Sequence, residues 1–219
     1  MAVAPAMEIL YSKCVGVEEI RQDGVMTRTR DRLLAGLPDT FRYSEALHSI
    51  SERQLRHLIA DGSIVALSRG LYRKSEWIGD EDLIEIASKA PRATLAVRTA
   101  LTRHDLIDDI PAEIDVAIPR GAWTPATRAP VRWRHFDPAT FAIGRDQLDV
   151  EGGRTIGIYS AERSIIDAFR LRHIEGSDLA NEALKRWLRR GGQPSDLLVM
   201  ARAFPRVLTS LRETVAILL

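Results

Sequence analysis

The side chains with the clearest chemical potential lie on residues 51–60. One face of this segment carries four hydrogen-bonding side chains: Arg53, Gln54, Arg56 and His57. Arginine can pair with a guanine edge and glutamine with an adenine edge when a helix lies in the DNA major groove. Exposed charge on a short helix is more often a solvated face, so both interpretations stay open. The segment is therefore a candidate base-reading helix.

Helical patterns precede this segment and define its ends. Residues 28–36 predict an amphipathic helix, and a second, short helix starts at Ser44. Ser51 and Gln54 are spaced as a capping box, in which each side chain satisfies a backbone donor of the other residue. Asp61-Gly62 ends the helix that this box starts.

A basic hairpin is predicted after the third helix. Residues 64–67 and 71–73 are predicted to form the two strands of a hairpin that turns at residues 68–70, where Gly70 can take the positive φ that the turn needs. Helix, helix, capped helix and hairpin is the order of a winged helix-turn-helix, which offers one helix to a major groove. Winged helices also dock proteins, which is the alternative interpretation. If the hairpin instead contacts DNA phosphates, three cations are expected to do so: Arg69, Arg73 and Lys74.

The charges are unevenly distributed along the chain, although its net charge is only +1. Residues 28–75 hold nine basic and five acidic residues, whereas residues 76–159 hold ten basic and fourteen acidic ones. Residues 160–219 are basic again, with ten cations against seven anions. A basic front end and a basic tail around an acidic middle favour a nucleic-acid partner.

Length and composition predict a two-domain protein of the cytoplasm. The chain has 219 residues, and no apolar run reaches the ~20 residues of a membrane span. Cys14 is the single cysteine, which excludes an internal disulfide and a cysteine-built zinc site. Residues 1–26 lack a secretion signal and a regular period. We expect them to be a disordered arm or the product of a start assigned before Met26.

Residues 79–219 predict a second, α+β domain, after a first domain of residues 27–78. The acidic stretch of residues 79–82 marks the boundary, and residues 94–106 predict a helix. From Ser160 onward the pattern is a helical tail. Between these helical parts, residues 114–118, 131–136, 148–150 and 155–158 predict a small antiparallel sheet, and the last two segments flank a hairpin turn predicted at residues 151–153.

Four segments in chain order resemble antitoxins of the AbiEi family. They are Arg69-Gly70-Leu71-Tyr72, residues 91–121 with Thr99-Ala100-Leu101-Thr102-Arg103-His104, Tyr159-Ser160-Ala161-Glu162-Arg163-Ser164-Ile165-Ile166-Asp167, and Phe169-Arg170-Leu171-Arg172-His173-Ile174. The resemblance runs from about residue 27 to the carboxy terminus. The chain departs from the family in residues 1–26 and at Asp105, where glycine is common. The resemblance implies an antitoxin of a type IV toxin–antitoxin module for phage defence. Such antitoxins repress their own operon through the winged helix, and their toxin is nucleotidyltransferase-like.

An enzymatic interpretation was tested on four clustered carboxylates. Asp108, Asp109, Glu113 and Asp115 could suggest a Mg²⁺-dependent nuclease, but no lysine follows them, and an exposed acidic edge is favoured. The five histidines show no metal-ligand spacing, and Ser160 is better explained as a helix cap than as a nucleophile. The sequence therefore predicts no enzymatic activity, no metal and no cofactor.

A second basic run lies opposite the apolar face of a predicted helix at residues 180–188. Its cations could complement the helix dipole, or they could contact phosphates or the toxin. These cations are Lys185, Arg186, Arg189 and Arg190.

Two function classes follow from the sequence. One is an antitoxin and autorepressor whose partners are double-stranded operator DNA and the cognate toxin, without a membrane partner; self-association on the DNA is compatible with it. The other is a stand-alone winged-helix transcriptional regulator whose carboxy-terminal domain senses a small ligand.

Overall fold

The computed structural model describes residues 28–77, 79–150 and 154–219. The expectation for residues 1–26 and the turn predicted at residues 151–153 lie outside the described residues. The described chain divides into two compact units, one up to residue 77 and the other from residue 79. Both units mix helices and strands, as the sequence predicts. None of the described helices is long and apolar enough to cross a membrane.

The first unit is built from helices around a three-stranded sheet. A helix covering residues 28–35 of the described chain is α1. The other elements are β1 Thr40–Arg42, α2 Tyr43–Ala46, α3 Glu52–Ala60, β2 Ile64–Ser68 and β3 Leu71–Lys74. The antiparallel sheet has the order β1-β3-β2, so β1 is an edge strand that pairs with β3. Strand β1 was not predicted from the sequence, because it is only three residues long and shows no alternation.

One face of α3 packs against the core of the first unit. Leu55 and Leu58 are fully buried in a cluster with Phe41, while Leu33 packs against it from α1. The Phe41 ring also stacks on Tyr72 of β3, with 6.1 Å between ring centroids. Since apolar burial fixes one face of α3, its opposite face is directed to solvent.

The second unit combines one sheet with eight helices among its described residues. Its elements are α4 Glu81–Lys89, β4 Thr94–Leu95, α5 Val97–Arg103, β5 Ile114–Pro119, β6 Val131–Phe136, α6 Pro138–Phe141, β7 Arg145–Val150, β8 Arg154–Tyr159, α7 Ala161–Arg170, α8 Arg172–Glu175, α9 Ser177–Arg189, α10 Pro194–Ala201 and α11 Pro205–Leu218.

The sheet of the second unit is mixed, so the expectation of an antiparallel sheet is only partly right. Its strand order is β6-β5-β4-β8-β7. The pairs β4–β5 and β7–β8 are antiparallel, whereas β5–β6 and β4–β8 are parallel. A loop at residues 120–130 carries the chain back before β6 starts. Glu85 of α4 holds that loop by accepting hydrogen bonds from the amides of Arg128 and Ala129, at 2.9 and 3.1 Å.

The helix predicted over residues 94–106 begins only at Val97. Thr94 and Leu95 form a two-residue strand, fully buried between β5 and β8. Backbone hydrogen bonds on both sides of β4 outweigh the local helical pattern, because each buried amide needs a partner. The α7 helix, which is buried along most of its length, lies at the centre of the unit's helical core.

Candidate nucleic-acid interface

The capping box predicted at the start of α3 is confirmed. The Gln54 amide donates to Ser51 Oγ at 3.3 Å, and the Ser51 amide donates to Gln54 Oε1 at 2.8 Å. Ser51 Oγ also donates to Gln54 Oε1, at 2.9 Å. These bonds fix the first turn of α3 and therefore the direction of the side chains beside it.

Two of the four predicted base-reading side chains are free. Arg53 and His57 are exposed, and their side chains form no hydrogen bond or ion pair with any other described residue. Arg56 is exposed as well, but it is paired with Glu52 one turn earlier, at 3.3 Å. Glu52 also accepts a hydrogen bond from Tyr43, whose pKa is raised by partial burial of the ring and by this carboxylate.

The Gln54 side chain has less free hydrogen-bonding capacity than its sequence position predicts. Its carbonyl oxygen is used twice in the capping box, so only the amide nitrogen remains free. Paired reading of an adenine needs both the carbonyl and the amide of the glutamine. Gln54 can therefore read adenine in that way only by giving up the cap, and its expected contact with DNA stays a prediction.

A cleft of about 340 Å³ lies between α1 and the polar face of α3. Leu33 and Leu58 form its apolar floor, and Arg30 and Arg53 lie among its polar lining residues. Arg30 is partly neutralised by Asp31, at 3.3 Å. The cleft extends the basic surface of α3 onto α1.

The structure leaves one predicted hairpin cation free and engages two. Arg69 is exposed at the turn next to Gly70, which has a φ of 75°. Arg73 Nη1 donates to the carbonyl oxygens of Lys74 at 3.0 Å and Ser75 at 3.2 Å, so it fastens the chain that leaves β3. Lys74 Nζ pairs with Asp39 at 3.1 Å and its side chain is only 22 % exposed. Arg73 and Lys74 therefore have partners within the unit, and their expected phosphate contacts stay a prediction.

Two of the four cations of the basic run on α9 form hydrogen bonds within the second unit. Arg186 forms two hydrogen bonds with Asp108, at 2.6 and 2.5 Å, and these lower the pKa of Asp108. Arg190 donates to the carbonyl oxygens of His104 and Asp105, at 2.8 and 3.1 Å. Two of the four cations thus have partners within the unit, and the contact of the run with phosphates or the toxin stays a prediction. The cations of the run that remain exposed and free of described partners are Lys185 and Arg189.

Each clustered carboxylate near β5 is matched by an arginine. Besides the Asp108 pair, Asp109 binds Arg98 at 2.6 Å. Glu113 and Asp115 are paired across the parallel strands with Arg132 and Arg134, at 2.6 and 2.8 Å. Among the described residues, no group of three or more histidines, cysteines or carboxylates is placed to hold a metal ion.

The carboxylate that joins this network was not predicted from the sequence. Glu175 of α8, whose side chain is 3 % exposed, binds Arg98 at 2.9 Å and Arg134 at 2.5 Å. Burial acts to raise the pKa of Glu175, but the hydrogen bonds from both arginines outweigh it and bring the pKa below its ordinary value. No local pattern could reveal this, because the partners are 77 and 41 residues away.

The motif at residues 159–167 forms part of the unit's interior. Arg163 is fully buried, with its guanidinium carbon 4.2 Å from the Tyr159 ring centroid. Its Nε donates to Asp167 at 3.0 Å, and Nη1 donates to the carbonyl oxygens of Thr140 and Ile143. Ser160 accepts from the Arg163 amide, so its expected role as a helix cap is confirmed. The motif's geometry organises the fold around α7.

Comparison with known proteins gives a likeness of fold alone. Neither a protein-family model nor a curated protein matches the chain. Among solved structures, the chain is similar to the crystal structure of the Rv2827c protein from Mycobacterium tuberculosis, with a TM-score of 0.53 and 18 % identity. The match covers 88 % of this chain and 80 % of that one.

Proposed function

We propose that this protein is a DNA-binding antitoxin and transcriptional autorepressor of a type IV toxin–antitoxin operon. Residues 28–77 bind the operator as a winged helix-turn-helix, and residues 79–219 neutralise a nucleotidyltransferase-like toxin in the cytoplasm, without enzymatic activity. The observation that carries the DNA-binding half is the exposed face of the capped helix α3, with Arg53 free at its start.

The arrangement of the first unit supports a winged helix-turn-helix. The chain passes through α1, β1, α2 and α3 before the β2–β3 hairpin, which pairs with β1 in one sheet. Four residues separate α2 from the Ser51 cap of α3, as in a helix-turn-helix. The net charge of +4 over residues 28–75 supports a polyanionic partner.

The resemblance to AbiEi antitoxins supports the toxin-neutralising half. Its motif at residues 159–167 forms the interior of the second unit, around Arg163 and Asp167. Buried, internally hydrogen-bonded residues such as these stabilise a fold, so we place toxin contact on the unit's outer surface. Lys185 and Arg189 are candidates, since both are exposed and free of described partners.

The alternative function is a stand-alone transcriptional regulator that senses a small ligand. One observation favours it, a basic cleft of about 340 Å³ in the second unit, next to Arg172 and Arg206. A neighbouring gene for a nucleotidyltransferase-like protein would favour the antitoxin, and an isolated gene would favour the regulator.

Co-expression with the neighbouring gene tests the proposal. The full chain should rescue growth and repress a reporter driven by its own upstream DNA. Arg53→Ala should lose repression but keep rescue, whereas Arg212→Ala, an equal charge change on α11, should keep both. Absence of rescue by the wild-type chain would contradict the antitoxin, and repression by Arg53→Ala at the wild-type level would contradict the role of α3.

A further inference from the structure

A basic cleft opens in the second unit where α7 ends and α11 begins. It has a volume of about 340 Å³, which is within the range of small-molecule sites. Phe169 and Val207 are buried beneath it. Its lining residues are Phe169, Arg170, Leu171, Arg172, His173, Arg206, Val207 and Ser210.

The cations of this cleft are largely unused. Arg172 and Arg206 are exposed, and their side chains bond to no other described residue. Arg170 is held in place, because its Nη1 donates to the buried Asp167 and its guanidinium lies 5.1 Å from the ring centroids of Phe136 and Phe204. The cleft thus combines one fixed guanidinium with two free ones.

No carboxylate balances this charge within the cleft. None of its eight described lining residues is acidic. The nearby Asp167 is fully buried and is shared between Arg163 and Arg170. A cleft of similar volume on α9 differs in this respect, since Asp178 and Glu182 line it beside its cations.

We infer that the cleft between α7, α8 and α11 binds a small phosphate-bearing molecule. Arginine forks match phosphate oxygens in paired, charge-assisted hydrogen bonds, and Arg172 and Arg206 are free to make them. The concave shape over an apolar floor suits a compact ligand rather than a duplex backbone, which needs no cavity. This binding goes beyond the proposed antitoxin function, because neither operator binding nor toxin neutralisation requires it, and it gives the alternative regulator a ligand class.

Calorimetric titration of the full chain tests the inference, with inorganic pyrophosphate and ATP as separate probes. The test variant is Arg172→Gln/Arg206→Gln. The control is Arg120→Gln/Arg212→Gln, which removes two exposed arginines of the same unit outside the cleft. Thermal unfolding of each variant checks the fold, and the two single cleft variants serve if the double variant does not fold.

The wild-type chain should bind at least one probe with a sub-millimolar Kd. The cleft variant should bind it at least about tenfold more weakly, while the control stays within about twofold of the wild type. Two results would overturn the inference. They are no binding of either probe at millimolar concentration, or an equal loss of binding in the cleft and control variants. None of these measurements needs the operator or the toxin, so the proposed function can fail independently.

Discussion

Replacing Glu52 by glutamine should tighten DNA binding. Glu52 is the first residue of α3 and lies 3.3 Å from Arg56, with the two side chains 56 % and 71 % exposed. In the free protein the Glu52 carboxylate is paired with Arg56, which the proposed function needs at the DNA. Glu52 would also repel the phosphates that flank a major groove. Glu52→Gln removes the pairing and the repulsion together.

The expected size follows from the exposure of the pair. An exposed ion pair is worth about 0.2–1 kcal/mol, and removal of one negative charge near the phosphates contributes an effect of the same order. Together the two effects amount to about 0.4–2 kcal/mol, so we expect affinity for DNA to rise about 2- to 30-fold. Stability should move the other way, because a carboxylate at a helix start stabilises the helix by about 0.3–1 kcal/mol. Tighter binding by a less stable protein cannot be explained by improved folding.

Fluorescence anisotropy with a labelled duplex from the upstream region measures this change over a series of salt concentrations. Glu182→Gln is the matched control, since Glu182 pairs with Arg186 one helical turn later at 3.4 Å, in the second unit. The Glu52 variant should also show a steeper salt dependence, by up to ~0.9 in log–log slope. Unchanged or weaker affinity of a correctly folded Glu52→Gln protein would show that the start of α3 does not approach DNA.

Three further outcomes are expected. Arg69→Ala should weaken binding to all duplexes and reduce the salt slope by ~0.9. Arg73→Ala should mainly lower the melting temperature, since Arg73 donates hydrogen bonds to backbone carbonyls. Equal salt slopes for Arg69→Ala and wild type would place the turn away from DNA. Glu175→Gln should destabilise the protein by about 2–4 kcal/mol, because breaking a buried pair leaves Arg98 and Arg134 under-satisfied, and a thermal shift below about 2 °C would refute this. The stability gap between Glu175→Gln and wild type should be largest above the ordinary pKa of 4.5 and shrink as the pH falls further, because a lowered pKa in the folded protein stabilises only the ionised form; urea unfolding at several pH values measures it, and a gap that widens in acid would contradict it.

Local patterns in the sequence predict local structure well. Ser51 and Gln54 form the predicted cap because both partners lie within one helical turn. Gly70 adopts the predicted positive φ because few other residues tolerate it in such a turn. The apolar spacing of residues 180–188 correctly predicts the buried face of α9.

Features that depend on distant partners could not be predicted. Strands β1 and β4 have three and two residues, and they exist only because longer strands pair with them. The parallel direction of β6 depends on the path of a loop that Glu85 holds in place. A local sequence pattern identifies neither the pairing strands nor the loop that Glu85 binds.

At the candidate interface, the exposure of a helix face could be predicted, whereas the partners of its cations could not. The sequence correctly predicts that the Arg53 face of α3 is exposed. It overestimates the free cations, because composition counts charge without revealing the acceptor that each charge meets. Lys74 meets Asp39 and Arg186 meets Asp108, at sequence separations of 35 and 78 residues.

The most direct test of the account is the preference of the full chain for its own upstream DNA over a scrambled duplex of equal length, at one salt concentration. The wild-type chain should prefer the upstream duplex by at least roughly 10³-fold. Arg53→Ala should lower that preference by about 1–3 kcal/mol while binding the scrambled duplex nearly as well as wild type. Equal affinity of the wild-type chain for both duplexes would contradict the proposed function of α3, as would no binding to either.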